Sequence, residues 1–404
     1  MGKPVSIVLA GIGGMGAVYL GALLENKEKR DFRLAGTVDP QPRRCPHLAE
    51  LRARGIPVFE SLEAFYARRR ADLAVIASPI QFHCGQTCLA LSRGSAVLCE
   101  KPAAATIQEM YRMREAEREY KRWVAVGFQW SFSTAIRALK GDIQSGDYGR
   151  PRRLKCLYLW PRNEAYYRRN DWAGKVKDAA GRWILDSPVN NAMAHDLHNM
   201  FYVLGDERES AVLPVRIEAE LYRAHEIENF DTAALRCLTG GGVEVLFYVS
   251  HAVSVDSGPV MSYEFERGCI GGAGRGAEIT GTSATGEKNY GSPDCEPLRK
   301  LWEAIDSANG RTLPGCGLEA SLGLTLAVNG AQDSCPEPLG FPQDLIMSRG
   351  EPGSRDVVVT GLDEVLRECF LKNALPSELG ASWSRKGRTV SLEDYVHFPG
   401  GAAK

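Results

Sequence analysis

The stretch Val5-Ser-Ile-Val-Leu-Ala-Gly11-Ile-Gly13-Gly-Met-Gly16 decides the fold. It reads as a buried strand entering a Gly-x-Gly-x-x-Gly turn that opens a helix. Gly11 suits the tight turn, Gly13 lets the main chain approach a diphosphate, and Gly16 lets helix and strand pack closely. The N–H groups at the helix start would face the negative charge. Ala17, Val18, Leu20, Leu23 and Leu24 continue the segment as an apolar helix, and a second strand over residues 32–38 ends in Asp39. That carboxylate stands about 20 residues past the glycines, where it would accept the ribose hydroxyls of NAD. A 2′-phosphate would meet like charge there, so NADP is the less favoured nucleotide, although Arg43 and Arg44 lie close enough to blur the distinction. Gly11, Ile12, Gly13, Gly14, Met15, Gly16 and Asp39 are the expected cofactor cradle. A strand–turn–helix with no ligand is the competing reading.

Around this stretch the chain alternates between strand and helix. Strands are expected at residues 6–10, 33–38, 57–59, 73–77, 96–100 and 123–126, with helices at 61–69, 82–92 and 107–120. Continuous apolar strands separated by helices predict a doubly wound parallel sheet covered on both faces. Ligands on such a sheet gather at the carboxyl ends of its strands. The glycine turn, Asp39, Ser78-Pro79 and Glu100-Lys101-Pro102 should therefore converge.

Beyond residue 150 the pattern changes. Strands at 153–160, 215–223, 232–239, 243–250 and 260–265 suggest an open, mainly antiparallel sheet, with a turn at Gly240-Gly241-Gly242. Helices are expected at 191–204, 297–307 and 318–332, loops over the glycine-rich 267–290, and little periodic structure after Pro336. The predicted fold class is thus α/β: an N-terminal Rossmann domain over 1–128 and a C-terminal α+β domain over 129–404.

The bulk numbers narrow the function. The 404 residues suit two domains. Lys plus Arg, 49, nearly cancel Asp plus Glu, 50, so no net field draws the chain to nucleic acid or to an anionic membrane. No apolar run is long enough to span a bilayer, and no basic and apolar leader precedes the first strand, so a cytoplasmic location is expected. The 11 cysteines are scattered and lie mostly in apolar runs, as reduced thiols would.

Two segments carry residue types suited to chemistry. Lys101 follows an apolar strand and precedes a proline, which sets an ammonium on an extended segment at the sheet's carboxyl edge. There it could bind a hydroxyl and stabilise a developing alkoxide. In the second segment, Pro188 suits a helix start and Gly205 a stop. Asn191, His195 and His198 then fall at i, i+4 and i+7, on one face. Polar side chains on an apolar helix are costly unless they meet a ligand or one another. A neutral His195 can take a hydroxyl proton as hydride leaves carbon. A hydrogen-bonded core network is the alternative. His195 and His198, with His225 or Asp186, could also bind a metal, but no paired motif supports this and none is expected. Trp160, Arg162, Tyr166, Tyr167, Arg168 and Trp172 form an aromatic and basic loop ahead of that helix. Aromatic faces pack on sugar C–H faces and guanidinium groups hold hydroxyls or carboxylates. Arg162, Tyr167, Arg168, Trp172, Asn191 and His198 are the expected substrate contacts.

With the glycine turn, Glu100-Lys101-Pro102 and the later His-bearing helix, the chain resembles the Gfo/Idh/MocA oxidoreductases, most strongly over 5–130 and 151–205. The resemblance implies a Rossmann domain followed by an open-sheet domain for substrate and oligomerisation, whose last helices pack back on the first, with tightly held NAD(P) and oxidation of a sugar or cyclitol hydroxyl. It assigns Lys101 as the catalytic lysine, and Ser78, Pro79, His83, Glu100 and Gln129 to the cofactor's surroundings. A purely structural role for His83 remains equally open. The resemblance also implies a homodimer or homotetramer joined through the open sheet face. Relatives often carry Asp where this chain has Asn191 and His198, so a Lys–Asp–His triad does not transfer whole. Two alternatives stay open: an NAD-dependent redox glycosidase or lyase with no net redox change, and a non-catalytic dinucleotide sensor.

Overall fold

The computed structural model describes residues 3–26, 31–310 and 313–400, and the chain divides into two compact units. The first comprises Met1–Phe132 and Glu296–Ser321, and the second comprises Ser133–Cys295 and Leu322–Lys404. The later part of the chain therefore contributes one segment to the first unit.

Walking along the first unit, the elements are β1 (Val5–Ala10), α1 (Gly14–Asn26), β2 (Phe32–Val38), α2 (Leu48–Ala53), β3 (Val58–Phe59), α3 (Leu62–Tyr66), β4 (Leu73–Ile76), α4 (His83–Ser92), β5 (Ala96–Cys99), α5 (Ile107–Tyr120), β6 (Val124–Val126) and α6 (Gln129–Phe132). Every strand pair is parallel and the order is β3-β2-β1-β4-β5-β6. β1, β4 and β5 are buried along their whole length, which explains their unbroken apolar sequences. Local signals set the helix ends: Ser61 accepts from the Ala64 amide at 3.1 Å ahead of α3, and Lys121, at φ 52°, closes α5. The order reverses between β1 and β4, and the strand ends flanking that point form the ligand crevice of a doubly wound sheet.

The second unit runs α7 (Thr134–Gln144), β7 (Pro151–Leu159), α8 (Glu164–Arg168), α9 (Ala194–Val203), β8 (Pro214–Arg223), β9 (Thr232–Thr239), β10 (Glu244–Ser250), β11 (Ser257–Phe265), β12 (Gly268–Ala273), β13 (Ile279–Ser283) and β14 (Gly286–Gly291). The chain then forms α10 (Arg299–Ala308) of the first unit, passes through α11 (Leu318–Ser334), and ends with β15 (Leu339–Gly340), β16 (Ile346–Arg349), β17 (Asp356–Val359), α12 (Leu362–Lys372) and β18 (Val390–Ser391). One ten-stranded sheet dominates, ordered β14-β13-β12-β11-β7-β10-β9-β8-β15, with β18 pairing β8. Most pairs are antiparallel, but β7 and β10 run parallel, Cys156 opposite Phe247.

Two expectations need correction. The glycine-rich 267–290 is not loop; it forms β12, β13 and β14. Gly268 and Gly281 are required there because a side chain at either would strike Tyr148, whose ring lies across these edge strands. The segment after Pro336 is also structured. α12 packs Leu366, Cys369 and Phe370 onto Leu157, Leu159, Leu246 and Tyr248. On the opposite face α9 reaches the sheet through Asn199, which donates to the Tyr263 hydroxyl at 3.3 Å. Over β7 the chain's own helices thus cover both faces of the sheet. All 11 cysteines are free thiols, and eight of them are buried.

Candidate functional site

The glycine turn has the shape its sequence predicts. Gly11, at φ +80°, donates to the Val38 carbonyl at 2.8 Å, and a side chain there would sit 2.6 Å from the Ala77 carbonyl oxygen. A Cβ on Gly16 would lie 1.9 Å from the Gly11 carbonyl oxygen, so α1 can approach β1 only because this position has no side chain. Gly13 differs: a Cβ there meets nothing within 4 Å. The turn presents open space at Gly13 and none at Gly11 or Gly16, as expected where the main chain receives a diphosphate. Asp39 ends β2 beside this turn. Its Oδ2 accepts from the Ile12 amide at 3.1 Å and its Oδ1 from the Gln41 amide at 2.7 Å. Each oxygen keeps a further lone pair for a ribose hydroxyl. Met15 is partly buried on α1.

The other strand ends in this unit are tied together by His83. Its ring is buried, with Nδ1 2.9 Å from the Pro102 carbonyl and Nε2 2.7 Å from the Ser78 carbonyl. Burial pushes the imidazole's pKa down despite these two acceptors. A neutral ring can donate to only one of them. His83 therefore fixes the loop after β4 against the loop after β5. Ser78 also donates to Gln86 at 2.6 Å, and Pro79 follows it at the start of the next turn.

Glu100 takes a structural place. It is buried, its Oε1 accepts from Lys300 of α10 at 2.5 Å and from the Tyr19 hydroxyl, and its Oε2 accepts from the Lys101 amide at 3.1 Å. Burial alone would raise its pKa, but the Lys300 ammonium and the Tyr19 hydroxyl hold the carboxyl below the usual range. Lys300 also donates to the Gly127 carbonyl at 2.9 Å. Sequence reasoning missed Lys300, because nothing in a lysine some 200 residues downstream announces a buried carboxylate partner. Lys101 follows directly, half-buried, at a cis bond to Pro102, and Gln129 opens α6.

In the second unit, α9 is shorter than its sequence pattern. A π-helical turn, Pro188–Ala192, precedes it, and Met193, at φ −115° and ψ 19°, separates the two. The expected i, i+4 relation of Asn191 to His195 therefore does not run along one regular helix. Asn191 donates to Asp186 Oδ1 at 2.9 Å, and Asp186 Oδ2 accepts from the Gly174 amide at 2.6 Å. His195 is partly exposed on α9, whereas His198 is 1 % exposed and lies 5.7 Å from the Tyr202 ring. Burial, and secondarily the Lys140 charge, push the His198 pKa down to about 3, so this imidazole is neutral. Asp196 was not anticipated. It is buried beside His195, and burial, reinforced by Asp294, pushes its carboxyl pKa up to about 8. His225 is held between Asp231 Oδ2 at 2.8 Å and the Arg162 carbonyl at 2.9 Å. Among the described residues no group of three His, Cys, Asp or Glu side chains is arranged to hold a metal ion.

The aromatic loop is built as a ladder. The Arg162 guanidinium stands 3.7 Å from the Trp160 ring centre and 4.6 Å from that of Tyr166. Arg169, which sequence reasoning passed over, lies 3.5 Å from Tyr166 and 5.2 Å from Trp172. Arg168 instead points to Glu164, 3.8 Å away, and is exposed. Tyr167 packs 4.9 Å from the His225 ring, and its hydroxyl is buried.

Comparison with known proteins agrees with this architecture. Residues 5–128 match the family model described as the oxidoreductase family, NAD-binding Rossmann fold. That match takes in under a third of the chain and is a likeness of its first domain to the Gfo/Idh/MocA oxidoreductases. Its relatives include the inositol 2-dehydrogenases of Burkholderia vietnamiensis (strain G4), 29% identical over 162 residues, and Burkholderia cenocepacia (strain HI2424), 33% identical over the same length. Both matches take in 40% of this chain and 43% of the relative, so the chain spans less than half the length of these enzymes. Among solved structures, the WlbA dehydrogenase from Bordetella pertussis, determined with NADH and UDP-GlcNAcA, superposes with a TM-score of 0.67 at 21% identity, over 82% of this chain and 97% of that one. The UDP-N-acetylglucosamine 3-dehydrogenase GnnA from Acidithiobacillus ferrooxidans gives 0.63 at 18% identity, over 80% and 95%. These likenesses establish the two-part fold: a parallel Rossmann sheet and a mixed, mainly antiparallel sheet. No helix among the described residues is long and apolar enough to cross a membrane.

Proposed function

We propose that this chain is an NAD-dependent dehydrogenase acting on a hydroxyl of a sugar, cyclitol or sugar derivative. The observation that carries the reading is the glycine turn, closed at Gly11 and Gly16, open at Gly13, and braced by Asp39 through the Ile12 amide. The inositol 2-dehydrogenases matched over part of the chain support the class of substrate. Bound NAD would supply the hydride acceptor. Gly11, Gly13 and Gly16 shape the diphosphate cradle, and Asp39 selects the unphosphorylated ribose. Lys101 orients the alcohol and stabilises charge as it develops on oxygen. His195 takes the hydroxyl proton. His83 and Glu100 act as positioning residues: one clamps the loops after β4 and β5, the other anchors the main chain at Lys101.

The test is spectrophotometric. The full chain with NAD and a panel including myo-inositol, glucose and glucuronate should generate NADH with at least one of them. Lys101→Met and His195→Asn should each lower kcat by roughly 100-fold or more while NAD still binds. Nucleotide binding with no NADH from any polyol, but aglycone release from aryl glycosides, would replace the dehydrogenase by a redox glycosidase.

A further inference from the structure

The ladder beside β7 holds a cation that the fold leaves without a counter-charge. Arg162 is anchored through its main chain: its amide donates to the His251 carbonyl at 3.1 Å, and its own carbonyl faces His225, which Asp231 holds in turn. Its half-buried guanidinium, by contrast, meets only aromatic faces. Among the described residues no carboxylate or hydrogen-bond acceptor reaches it, and its Nε is fully buried without a partner. A buried donor left in this condition bears its full desolvation cost, which is larger when it is charged.

The neighbourhood makes the position more costly. Arg169 shares the Tyr166 face and Arg275, from the β12–β13 turn, lies 3.9 Å from the Trp160 ring centre. Burial first, and then the charges of Arg275 and Arg169, hold Arg162 below the ordinary guanidinium range. Arg275 has Asp256 as a partner and Arg169 donates to the Tyr166 carbonyl at 2.5 Å, but neither neutralises Arg162. The cation–π contacts at such a site are comparable with the cost of the unmet donor alone and leave the repulsion among the three cations uncompensated. Three like charges over shared rings are therefore arranged for something that brings negative charge.

The ladder also starts on the α9 side of the sheet. Cys156 and Tyr158 alternate with the residues that α12 covers, and both their side chains sense the Asp196 carboxyl of α9. Tyr158 stacks on Trp160 at 5.4 Å with the rings 3° from parallel. A ligand lying along this stack is on the face that carries His195.

We propose that Arg162, flanked by Arg169 and Arg275, is the binding site for an anionic oxygen group, a carboxylate or phosphate, borne by the substrate. The substrate is then a charged sugar whose C–H face lies on the aromatic rings while its oxyanion takes the fork of the guanidinium. That this ligand is the substrate rests on the dehydrogenase reading; the anion site itself does not.

Tryptophan fluorescence of the full chain at low salt, titrated with glucuronate, glucose 6-phosphate and glucose, tests this without turnover. At least one charged sugar should bind roughly tenfold or more tighter than glucose, as expected of one charge-assisted bidentate pair. The preference should collapse at about 1 M salt and in Arg162→Gln. Preference for glucuronate alone identifies a carboxylate site, and preference for glucose 6-phosphate alone a phosphate site. Equal binding of all three sugars to the native chain overturns the proposal, as does a folded Arg162→Gln that keeps the preference. Should that variant not fold, the native comparison and its salt dependence decide. NADH formation without any charged preference would overturn the anion site alone, and charged preference without NADH would overturn the dehydrogenase alone.

Discussion

At the scale of single residues, the interior holds ionisable groups whose state is set by burial. Asp196 is the clearest. Folded, it keeps its proton up to about pH 8, whereas in the unfolded chain the same carboxyl ionises near its ordinary value of about 4. Folding thus binds a proton between those limits. The stability this supplies is complete below about pH 4 and is lost as pH rises through about 8. The groups that bear on Asp196 are Asp294, Cys156, Tyr158 and Tyr263. Asp196→Asn carries no charge at any pH. It should raise the melting temperature at pH 8 by about 4–8 °C, corresponding to about 2 kcal/mol, and leave it unchanged near pH 4. Melts showing the same difference at both pH values would refute the assignment. No sequence pattern marked this aspartate, because adjacency to His195 says nothing about dielectric. Arg169 was overlooked for a related reason: Arg168 and Arg169 are indistinguishable in sequence, and only the local turn decides which one lies on the rings.

At the scale of elements, the glycine turn and the His-bearing helix differ in legibility. The turn could be read because glycine requirements are local: positive φ at Gly11 and main-chain contact at Gly16 leave no other residue possible. Its three glycines nevertheless do different work, and substitution separates them. Gly16→Ala should cost about 3 kcal/mol or more, since the clash is with backbone that cannot move cheaply. Gly13→Ala should unfold within about 0.5 kcal/mol of the native chain yet bind NAD at least roughly tenfold more weakly. Urea melts paired with NAD titration decide this, and a Gly16→Ala protein as stable as the native one would undo the packing argument. The helix was harder. Period counting placed Asn191, His195 and His198 on one stripe, but the π-helical turn and Met193 break the phase. A one-residue change in winding, which Pro188 and the Ser187 cap favour, leaves no trace in apolar periodicity. The strands over 268–291 escaped for the opposite reason: glycine argued for loop, while Tyr148 lying across them requires glycine in strand.

At the scale of the whole molecule, the chain does not build its units one after the other. Glu296–Ser321 belongs to the first unit, where α10 buries Leu301, Ala304 and Ile305 and delivers Lys300 to Glu100. A fragment of residues 1–132 therefore loses both the ammonium that neutralises Glu100 and the apolar cover of α10, and breaking such a buried pair costs about 3–5 kcal/mol. Joining 296–321 to it through a flexible linker should restore cooperative urea unfolding. Equal stability of the two fragments would show that the Glu100–Lys300 pair is dispensable. The sequence by itself determined the Rossmann topology, the glycine turn and the change to a mainly antiparallel sheet, because periodicity and glycine placement act through bonds between near neighbours. Tertiary structure alone decided that Glu100 is neutralised by a lysine some 200 residues away, that Asp196 holds its proton, and that Arg162 rests on aromatic faces without an acceptor. Each of these depends on which distant groups exclude water from a charge, and hydrophobic patterning carries no record of that.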